Sequence, residues 1–195
     1  MGKIIVSEFV SLDGVMEAPG GEPNYRHTGW VAKFPDAGQF KYKLDEILAH
    51  EAHLLGRRTY ESFAGAWPAR TGPFAHKINS MPKYVASTTL ATADWNNTTV
   101  LKGDTATAVA TLKQQLAGDI LVAGSRTLVT TLRCNDLVDE YRLMVFPIIL
   151  ASGMRLFDET ADATPLELVD TQRFDNGIVN LTYRPVQTAG QRSSR

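Results

Sequence analysis

The sequence predicts an α/β protein with a mixed, mostly parallel sheet of about eight strands flanked by helices. Over the first two-thirds of the chain, short β-branched and apolar runs alternate with stretches of helical period, which is typical of parallel strands joined by helices. The last third differs, because Asp175-Asn176-Gly177 alone separates two strand-like runs there. Asn-Gly favours a tight turn, so we expect the sheet to end in an antiparallel hairpin.

The individual elements follow from composition and periodicity. Strands are predicted at residues 4–10, 52–55, 83–87, 98–101, 120–123, 140–149, 166–174 and 178–183. Apolar stripes of helical period consist of Phe40, Leu44, Ile47 and Leu48 in one stretch, and of Val109, Leu112 and Leu116 in another. Asp104-Thr105 suits the start of the second helix and Gly118 its end.

Length and composition are those of a globular protein with one core. The chain has 195 residues, of which 44% are hydrophobic and 21% charged. We assign residues 1–185 to a single domain and residues 186–195, which are polar from Gln187 onward, to a flexible tail. The net charge of −1 gives no general attraction to nucleic acid or to an anionic membrane. No apolar run approaches the roughly 18 residues of a membrane helix.

The chain contains one cysteine, Cys134, so an internal disulfide is impossible and the reducing cytoplasm is the expected location. Cys134 is expected to be a small buried or half-buried packing residue, because no base lies near it in sequence to activate a thiol. His50 and His53 are three residues apart. No cluster of cysteines or carboxylates completes a ligand set, so we predict no metal site.

Polar and charged residues follow the ends of three predicted strands. The segments Leu55-Gly56-Arg57-Arg58-Thr59 and Ala123-Gly124-Ser125-Arg126-Thr127 each lead from a strand through glycine into a helix. Glycine lets a ligand approach the backbone, and a helix N-terminus offers amides and partial positive charge. Ser87-Thr88-Thr89 adds hydroxyls to a third strand end. Ligands bind at such ends in open α/β sheets, so we predict an extended ligand with more than one phosphate.

Each of these signals alone also has an ordinary explanation. A strand–glycine–helix turn is a common connection, and arginine pairs at the start of a surface helix are usually just solvated. Only the combination of two such turns with the hydroxyl cluster favours a ligand. The sequence contains neither G-x-G-x-x-G nor G-x-x-x-x-G-K-[ST], so the usual dinucleotide fingerprint and the P-loop are both absent.

Five segments, in the correct order, carry a resemblance to a known family. They are 5–16, 55–62, 82–87, 122–125 and 146–157, and the first contains Ser11-Leu12-Asp13-Gly14. In these segments the chain resembles the dihydrofolate reductase-like superfamily and, within it, the C-terminal reductase domain of the bacterial riboflavin deaminase–reductase. The resemblance extends over nearly all of residues 4–183 and is to a stand-alone member of that family.

The resemblance implies an NADPH-dependent reductase that transfers hydride to a C=N or C=O bond of a small pterin-, pyrimidine- or ribityl-like substrate. The residues it assigns to the cofactor are Phe9, Met16, Gly56, Arg57, Arg58, Thr59, Ser87, Thr88, Gly124, Ser125, Arg126 and Thr127. Residues 57–59 would hold the 2′-phosphate and pyrophosphate, 87–88 would lie near the adenosine, and 124–127 would direct amides at the pyrophosphate. Phe9 and Met16 would flank the nicotinamide. The relatives also imply a homodimer.

Two departures from the family affect the expected reaction. Folate reductases carry a carboxylate early in their first helix, and the matching position here is near Phe40, so folate reduction is not expected. The deaminase half and its zinc ligands are missing from the sequence. The main alternative is therefore a non-catalytic nucleotide-binding protein that kept the cofactor site. A dimerisation module is a third reading, supported only by the apolar C-terminal strands.

Several single residues have two interpretations. Asp13 is a candidate contact to substrate or nicotinamide, or else simply the turn residue of an Asp-Gly pair. Trp30 either packs in the core or lines a substrate pocket, where Phe40 is also placed. Glu8 is expected to face outward from its strand, the alternative being a buried carboxyl with a partner or a raised pKa. Asp139-Glu140 is expected to be solvated.

Overall fold

The structure is a computed structural model that describes residues 1–157 and 163–186. Its strands are β1 (Ile4–Ser11), β2 (Ala52–Gly56), β3 (Lys83–Ala86), β4 (Thr98–Leu101), β5 (Ile120–Val122), β6 (Glu140–Phe146), β7 (Leu166–Arg173) and β8 (Val179–Pro185). The helices are α1 (Ala37–Ala49), α2 (Arg57–Ala66), α3 (Pro73–Ser80), α4 (Thr105–Gln115) and α5 (Arg126–Cys134), with a short 3₁₀ helix at Trp30–Lys33. The predicted tail, 186–195, lies outside the described residues apart from Val186.

The described residues form one mixed sheet of eight strands, in the order β4-β3-β2-β5-β1-β6-β8-β7. The pairs from β4 to β6 are all parallel, whereas β8 runs antiparallel to both β6 and β7. The predicted fold class is therefore confirmed. Because β3, β2, β5 and β1 are neighbours and parallel, their carboxyl ends lie side by side along one edge of the sheet.

The C-terminal hairpin forms where Asn-Gly predicted it. Gly177 takes a φ of 87°, which glycine adopts without strain, and its amide donates to the carbonyl of Phe174 at 3.1 Å. The side chain of Asn176 donates to the carbonyl of Phe34. The hairpin turn is thereby attached to the segment that leads into α1.

Helices cover the two faces of the sheet. On one face, α4 and α5 pack against β1 and β5 in a cluster that includes Val6, Val122, Val129 and Leu132. On the other face, α1, α2 and α3 contribute to smaller clusters with neighbouring strand residues. The central strands are consequently buried on both sides, as expected for parallel strands between two layers of helices.

The predicted apolar stripe of α1 is wrong in part. Of its four members only Ile47 is buried, while Phe40 and Leu48 are 60% and 50% exposed. The side of α1 that faces the sheet instead carries Lys43 and the buried Glu46. Partners on β1 and β6 stabilise the side chain of Glu46. The helical periodicity of α1 alone does not reveal these partners.

Glu140 is not solvated as predicted. It is 4% exposed and accepts hydrogen bonds from Arg142 at 2.8 Å and from Arg184 at 2.9 Å. Its neighbour Asp139 forms an ion pair with Lys113. The partners come from β6, β8 and α4. Glu140 is therefore desolvated only because the tertiary fold supplies cations beside it, whereas the side chain of Asp139 stays 32% exposed.

Cys134, predicted to be buried or half-buried, is exposed. It is the last residue of α5, two positions after the fully buried Leu132, and a step of two residues turns a side chain to the opposite side of a helix. Within residues 1–157 and 163–186, no helix is long and apolar enough to cross a membrane. The same residues contain no cluster of three potential metal ligands.

Candidate functional site

The ends of β2, β3 and β5 meet in one surface, which we call the turn surface and define as residues 56–59, 87–89 and 124–127. Two side-chain contacts join its parts. The amide of Gly56 donates to Oγ of Ser125 at 2.8 Å, and Nη1 of Arg57 donates to Oγ1 of Thr89 at 2.7 Å. The structure thus brings together the three strand ends that the sequence singled out.

The two arginines at the start of α2 differ in their surroundings. Both are exposed, but Nε of Arg57 is paired with Oε1 of Glu61 at 2.7 Å, one helical turn along. Arg58 has no hydrogen-bond or ion-pair partner among the residues that the structure describes. Arg57 is therefore partly neutralised and holds the 87–89 turn, whereas Arg58 keeps its full charge and all its donors for an anion.

Gly124 is required at the start of α5 both for its conformation and for space. Its φ of +67° lies in the left-handed region, and a Cβ there would be 2.9 Å from Cγ2 of Thr59. Ser125 also has a left-handed φ of +66°, uncommon for a residue with a side chain, and is held by the hydrogen bond from Gly56. In contrast Gly56 has a φ of −81°, and a Cβ there would lie 3.4 Å from Cβ of Ser125, so neither the turn nor the packing requires glycine at this position.

Glu8 lies beneath this turn and is not outward-facing as expected. It is 5% exposed, because β1 is a central strand covered on both faces. Its Oε2 accepts a hydrogen bond from the amide of Gly124 at 2.9 Å. Burial raises the pKa of Glu8 well above its usual value. The Gly124 amide, predicted to reach the pyrophosphate, is thus already bonded within the protein.

The third strand end is a compact turn. Oγ of Ser87 accepts from the amides of Thr89 at 3.2 Å and Leu90 at 3.0 Å. Thr88, between them, is exposed. Ser87 therefore shapes the turn, and the exposed Thr88 precedes Thr89, which accepts a hydrogen bond from Arg57.

The two residues expected to flank the nicotinamide lie in different apolar clusters. Phe9 is half-buried and packs edge-to-face on Phe146 with ring centroids 5.5 Å apart, with Nζ of Lys43 5.2 Å from its ring centroid. Met16 is 7% exposed and packs in the cluster beneath α4 and α5. Their predicted role would require a ligand that reaches both sides of the end of β1.

Trp30 is a packing residue, so its predicted place in a substrate pocket must be corrected. It has no exposed surface, packs edge-to-face on Phe146 at 5.1 Å and donates its ring N–H to the carbonyl of Glu17. Phe40, in contrast, is exposed in the first turn of α1. Its role in binding substrate stays a prediction.

Asp13 is engaged by its own loop and by a distant one. Its Oδ1 accepts from Oγ of Ser11 at 2.7 Å and from the amide of Leu150 at 3.1 Å, and its Oδ2 accepts from the amide of Ala151 at 3.0 Å. Burial by itself would raise the pKa of Asp13, but these hydrogen bonds outweigh it and lower the pKa. The carboxylate thus joins the end of β1 to the segment after β6.

Sequence reasoning missed a polar cluster on the other face of β1. Oγ of Ser7 donates to Oε2 of Glu46 at 2.9 Å and accepts from Nζ of Lys43 at 2.7 Å; Arg142 lies 3.4 Å from Oε1 of Glu46. Burial would raise the pKa of Glu46, yet the adjacent cations and hydroxyl lower it. The available signal was Lys43 and Glu46, three residues apart on the side of the helix that carries Ile47.

The model of the RibD C-terminal domain family matches residues 2–180. The chain belongs to that family. The uncharacterized protein YyaP of Bacillus subtilis (strain 168) is 30% identical over 188 residues, which cover 93% of this chain and 94% of YyaP. The predicted family is therefore confirmed for this RibD C-terminal domain protein.

Solved structures agree on the fold of this RibD C-terminal domain protein. A putative riboflavin biosynthesis protein from Shewanella sp. PV-4 matches with a TM-score of 0.75 and 20% identity, over 95% of this chain and 99% of that one. A pyrimidine reductase-like protein from Corynebacterium diphtheriae matches with a TM-score of 0.65 and 13% identity, over 96% and 93%. RibD of Acinetobacter baumannii gives 0.65 and 15%, over 96% of this chain and 59% of that chain.

Proposed function

We propose that this protein is an NADPH-dependent reductase that transfers hydride to a C=N or C=O bond of a small pterin-, pyrimidine- or ribityl-like molecule. The observation that carries the proposal is the turn surface itself. Two helix N-termini, the side chain of Arg58, which has no partner within the described part of the chain, and a set of hydroxyls meet there at the carboxyl edge of a parallel sheet. Membership of a reductase-domain family supports the same activity.

The chemistry of the donor set fits a phosphorylated dinucleotide. The first-turn amides of α2 and α5 have no acceptor within their own helices, and both N-termini favour anionic groups. Gly124 keeps its turn free of a Cβ, which suits close approach of a pyrophosphate. Arg58 would hold the 2′-phosphate, with Arg57 fixing the 87–89 turn beside it. NADPH would supply the hydride when bound, and the protein would supply position and charge.

The start of α1 supports the alternative, a nucleotide-binding protein without catalysis. The first turn of that helix contains no acidic residue, and its N-cap Asp36 accepts from the amide of Gln39 at 2.8 Å. No carboxylate of this helix turn is thus available at the position near Phe40. A reductase built this way would obtain its proton from water or from the substrate.

Titration of NADPH and NADH into the purified protein, followed by tryptophan fluorescence and thermal shift, tests the cofactor. We expect NADPH to bind more tightly than NADH, and Arg58→Ala to weaken NADPH about tenfold or more with little effect on NADH, since a charge-assisted hydrogen bond contributes about 1.5–3 kcal/mol. Arg57→Ala should weaken NADPH binding less, because the guanidinium group of Arg57 is already paired with Glu61. Arg173→Ala, on the exposed β7, is the matched control.

Equal affinities for NADPH and NADH, unchanged in Arg58→Ala, would contradict the phosphate assignment. Oxidation of bound NADPH on addition of pterin, pyrimidine or ribityl acceptors separates a reductase from a binder, which never turns over. The predicted homodimer and cytoplasmic location remain predictions. Sedimentation analysis of the purified protein addresses the first, and cell fractionation the second.

A further inference from the structure

A buried acid adjoins the turn surface and takes no part in the binding scheme above. Glu8 is on β1, the central strand, and its Oε2 accepts from the amide of Gly124 at 2.9 Å, two residues before α5 begins. Its other oxygen, Oε1, is buried and has no hydrogen-bond partner among the described residues. One carboxyl oxygen of Glu8 therefore has a hydrogen-bond donor, and the other has none among the described residues.

The two carboxyl oxygens favour the protonated form. An ionised carboxylate would leave a charged oxygen in a site closed to water with no donor, which is among the costliest arrangements in a protein interior. A neutral acid can accept from Gly124 through Oε2 and carry its proton on Oε1. Burial raises the pKa of Glu8 well above its usual value, against the lowering effects of the Gly124 amide and Lys43.

Glu46 shows what an ionised buried carboxyl requires in this fold. It is 4% exposed, almost as buried as Glu8, but Lys43, Ser7 and Arg142 surround it and lower its pKa. Glu8 has one hydrogen-bond donor, the amide of Gly124, and forms no ion pair among the described residues. The two acids lie on elements that face each other, yet their environments drive their pKa values in opposite directions.

The charged and titratable groups around Glu8 do not change this assignment. From α1, Lys43 lowers and Glu46 raises the pKa of Glu8. On β6, the residue opposite Glu8 is Leu143, and Tyr141 is uncharged because burial raises its pKa to about 12. The side of α5 that packs on the sheet is apolar. Arg126 is the first residue of α5.

We propose that Glu8 is a neutral acid of the anion site, so that a phosphate binds at residues 124–127 only while Glu8 keeps its proton. Phosphate on the N-terminal side of α5 would place its charge close to that carboxyl group through the Gly124 peptide. A second negative charge on Glu8 would oppose it. Binding of anion and proton would then be thermodynamically linked. The inference rests on the proposed nucleotide site but not on reductase activity.

The test compares the wild type with Glu8→Gln, which keeps the shape and cannot ionise. The probes are NADP⁺, which tolerates acid, and inorganic pyrophosphate, each titrated across the pH range in which the protein stays folded. We expect the ratio of wild-type to Glu8→Gln affinity to fall by up to about tenfold per pH unit above the pKa of Glu8. Taking the ratio cancels the ionisation of the probes themselves.

Two further variants serve as controls for this test. Glu8→Met is also neutral and of similar length, so it can replace Glu8→Gln in the affinity ratio if Glu8→Gln folds poorly, and the ratio should fall with pH in the same way. Glu140→Gln removes another buried carboxylate, on β6 and outside the turn surface, and should keep the wild-type pH profile.

Each outcome decides the proposal. A constant affinity ratio across pH overturns it while leaving the proposed nucleotide site intact. Proton-linked binding of pyrophosphate without binding of NADP⁺ supports the role of Glu8 and contradicts the proposed function. A wild-type protein that binds neither probe at any pH overturns both.

Discussion

Two basic side chains are buried opposite each other in neighbouring strands. His53 on β2 pairs in register with Lys83 on β3, and they are 1% and 0% exposed. Neither ring nitrogen of His53 has a hydrogen-bond partner among the described residues. Burial lowers the pKa of His53 to about 3, and the charge of Lys83 adds to the effect. His53 is therefore a neutral core residue at physiological pH.

This arrangement predicts an acid-dependent loss of stability. The folded-state pKa of about 3 lies below the usual 6.5, so the unfolded chain binds more protons as the pH falls. The free energy of unfolding should drop by up to about 1.4 kcal/mol per pH unit between these values. His53→Leu should reduce the slope by the contribution of His53 and leave that of His50, whose pKa burial also lowers. Stability at neutral pH should stay equal or rise, because the substitution deletes two polar atoms that have no partner among the described residues.

Urea unfolding at a series of pH values measures the slope. His76→Gln, at an exposed position of α3, is the control and should retain the wild-type slope. An unaltered slope in His53→Leu would show that another group is responsible for the acid sensitivity.

At the scale of elements, the buried side chain of Lys83 caps the C-terminal end of helix α3. Its Nζ donates to the carbonyls of Ile78 at 3.1 Å, Asn79 at 3.0 Å and Met81 at 2.8 Å, and lies 4.5 Å from the centroid of a Trp95 ring. The last carbonyls of a helix lack partners within it, and a cation there also interacts favourably with the negative end of the helix dipole. One buried side chain from the next strand thus satisfies the C-terminus of α3.

Lys83→Met should destabilise the protein by about 2–3 kcal/mol, since it keeps the apolar stem and removes the donors to buried carbonyls. Burial lowers the pKa of Lys83 to about 8, below its usual 10.5, so the folded state releases its proton first. Wild-type stability should accordingly rise between pH 8 and 10.5, and Lys83→Met should not show this rise. Lys77→Met, on the same helix, is the control in the same unfolding series.

Elements with local signals were predictable and those with remote causes were not. All the strands and the glycine turns follow from short runs of residues. Helix α3 was not predicted, although Pro73 at its first position is a known start signal. The polar inner side of α1 could not be predicted, because Glu46 is stabilised by Ser7 and Arg142, which are 39 and 96 positions away.

At the scale of the whole molecule, the candidate site depends on the strand order. Parallel order places β3, β2 and β5 side by side, which makes one surface of three separate sequence segments. The sequence predicted these segments, and the phosphate chemistry that it assigns to them stays a prediction. It did not predict that Glu61 pairs with Arg57, although the two residues are four positions apart on α2. Nor did it predict that Glu8 accepts a hydrogen bond from the amide of Gly124, which depends on how the turns pack.

The long-range contact of Asp13 distinguishes its two interpretations. This contact joins Asp13 to residues that lie 137 and 138 positions further along the chain. As a structural link it should therefore contribute to global stability. Asp13→Asn should lower the free energy of unfolding by roughly 1–2 kcal/mol, and the loss should diminish at acid pH. The lowered pKa of Asp13 means that its stabilising effect is present above the unfolded pKa and is lost as the pH falls through the folded value.

A direct contact to substrate or nicotinamide would give the opposite pattern. Turnover or nucleotide affinity would then fall in Asp13→Asn while the unfolding curve stayed in place. Because both carboxylate oxygens already accept hydrogen bonds from the protein, we expect the stability effect to dominate and the affinity for NADP⁺ to change less than threefold, within about 0.6 kcal/mol. Parallel measurement of urea midpoint and NADP⁺ affinity on one preparation of each variant separates the two roles.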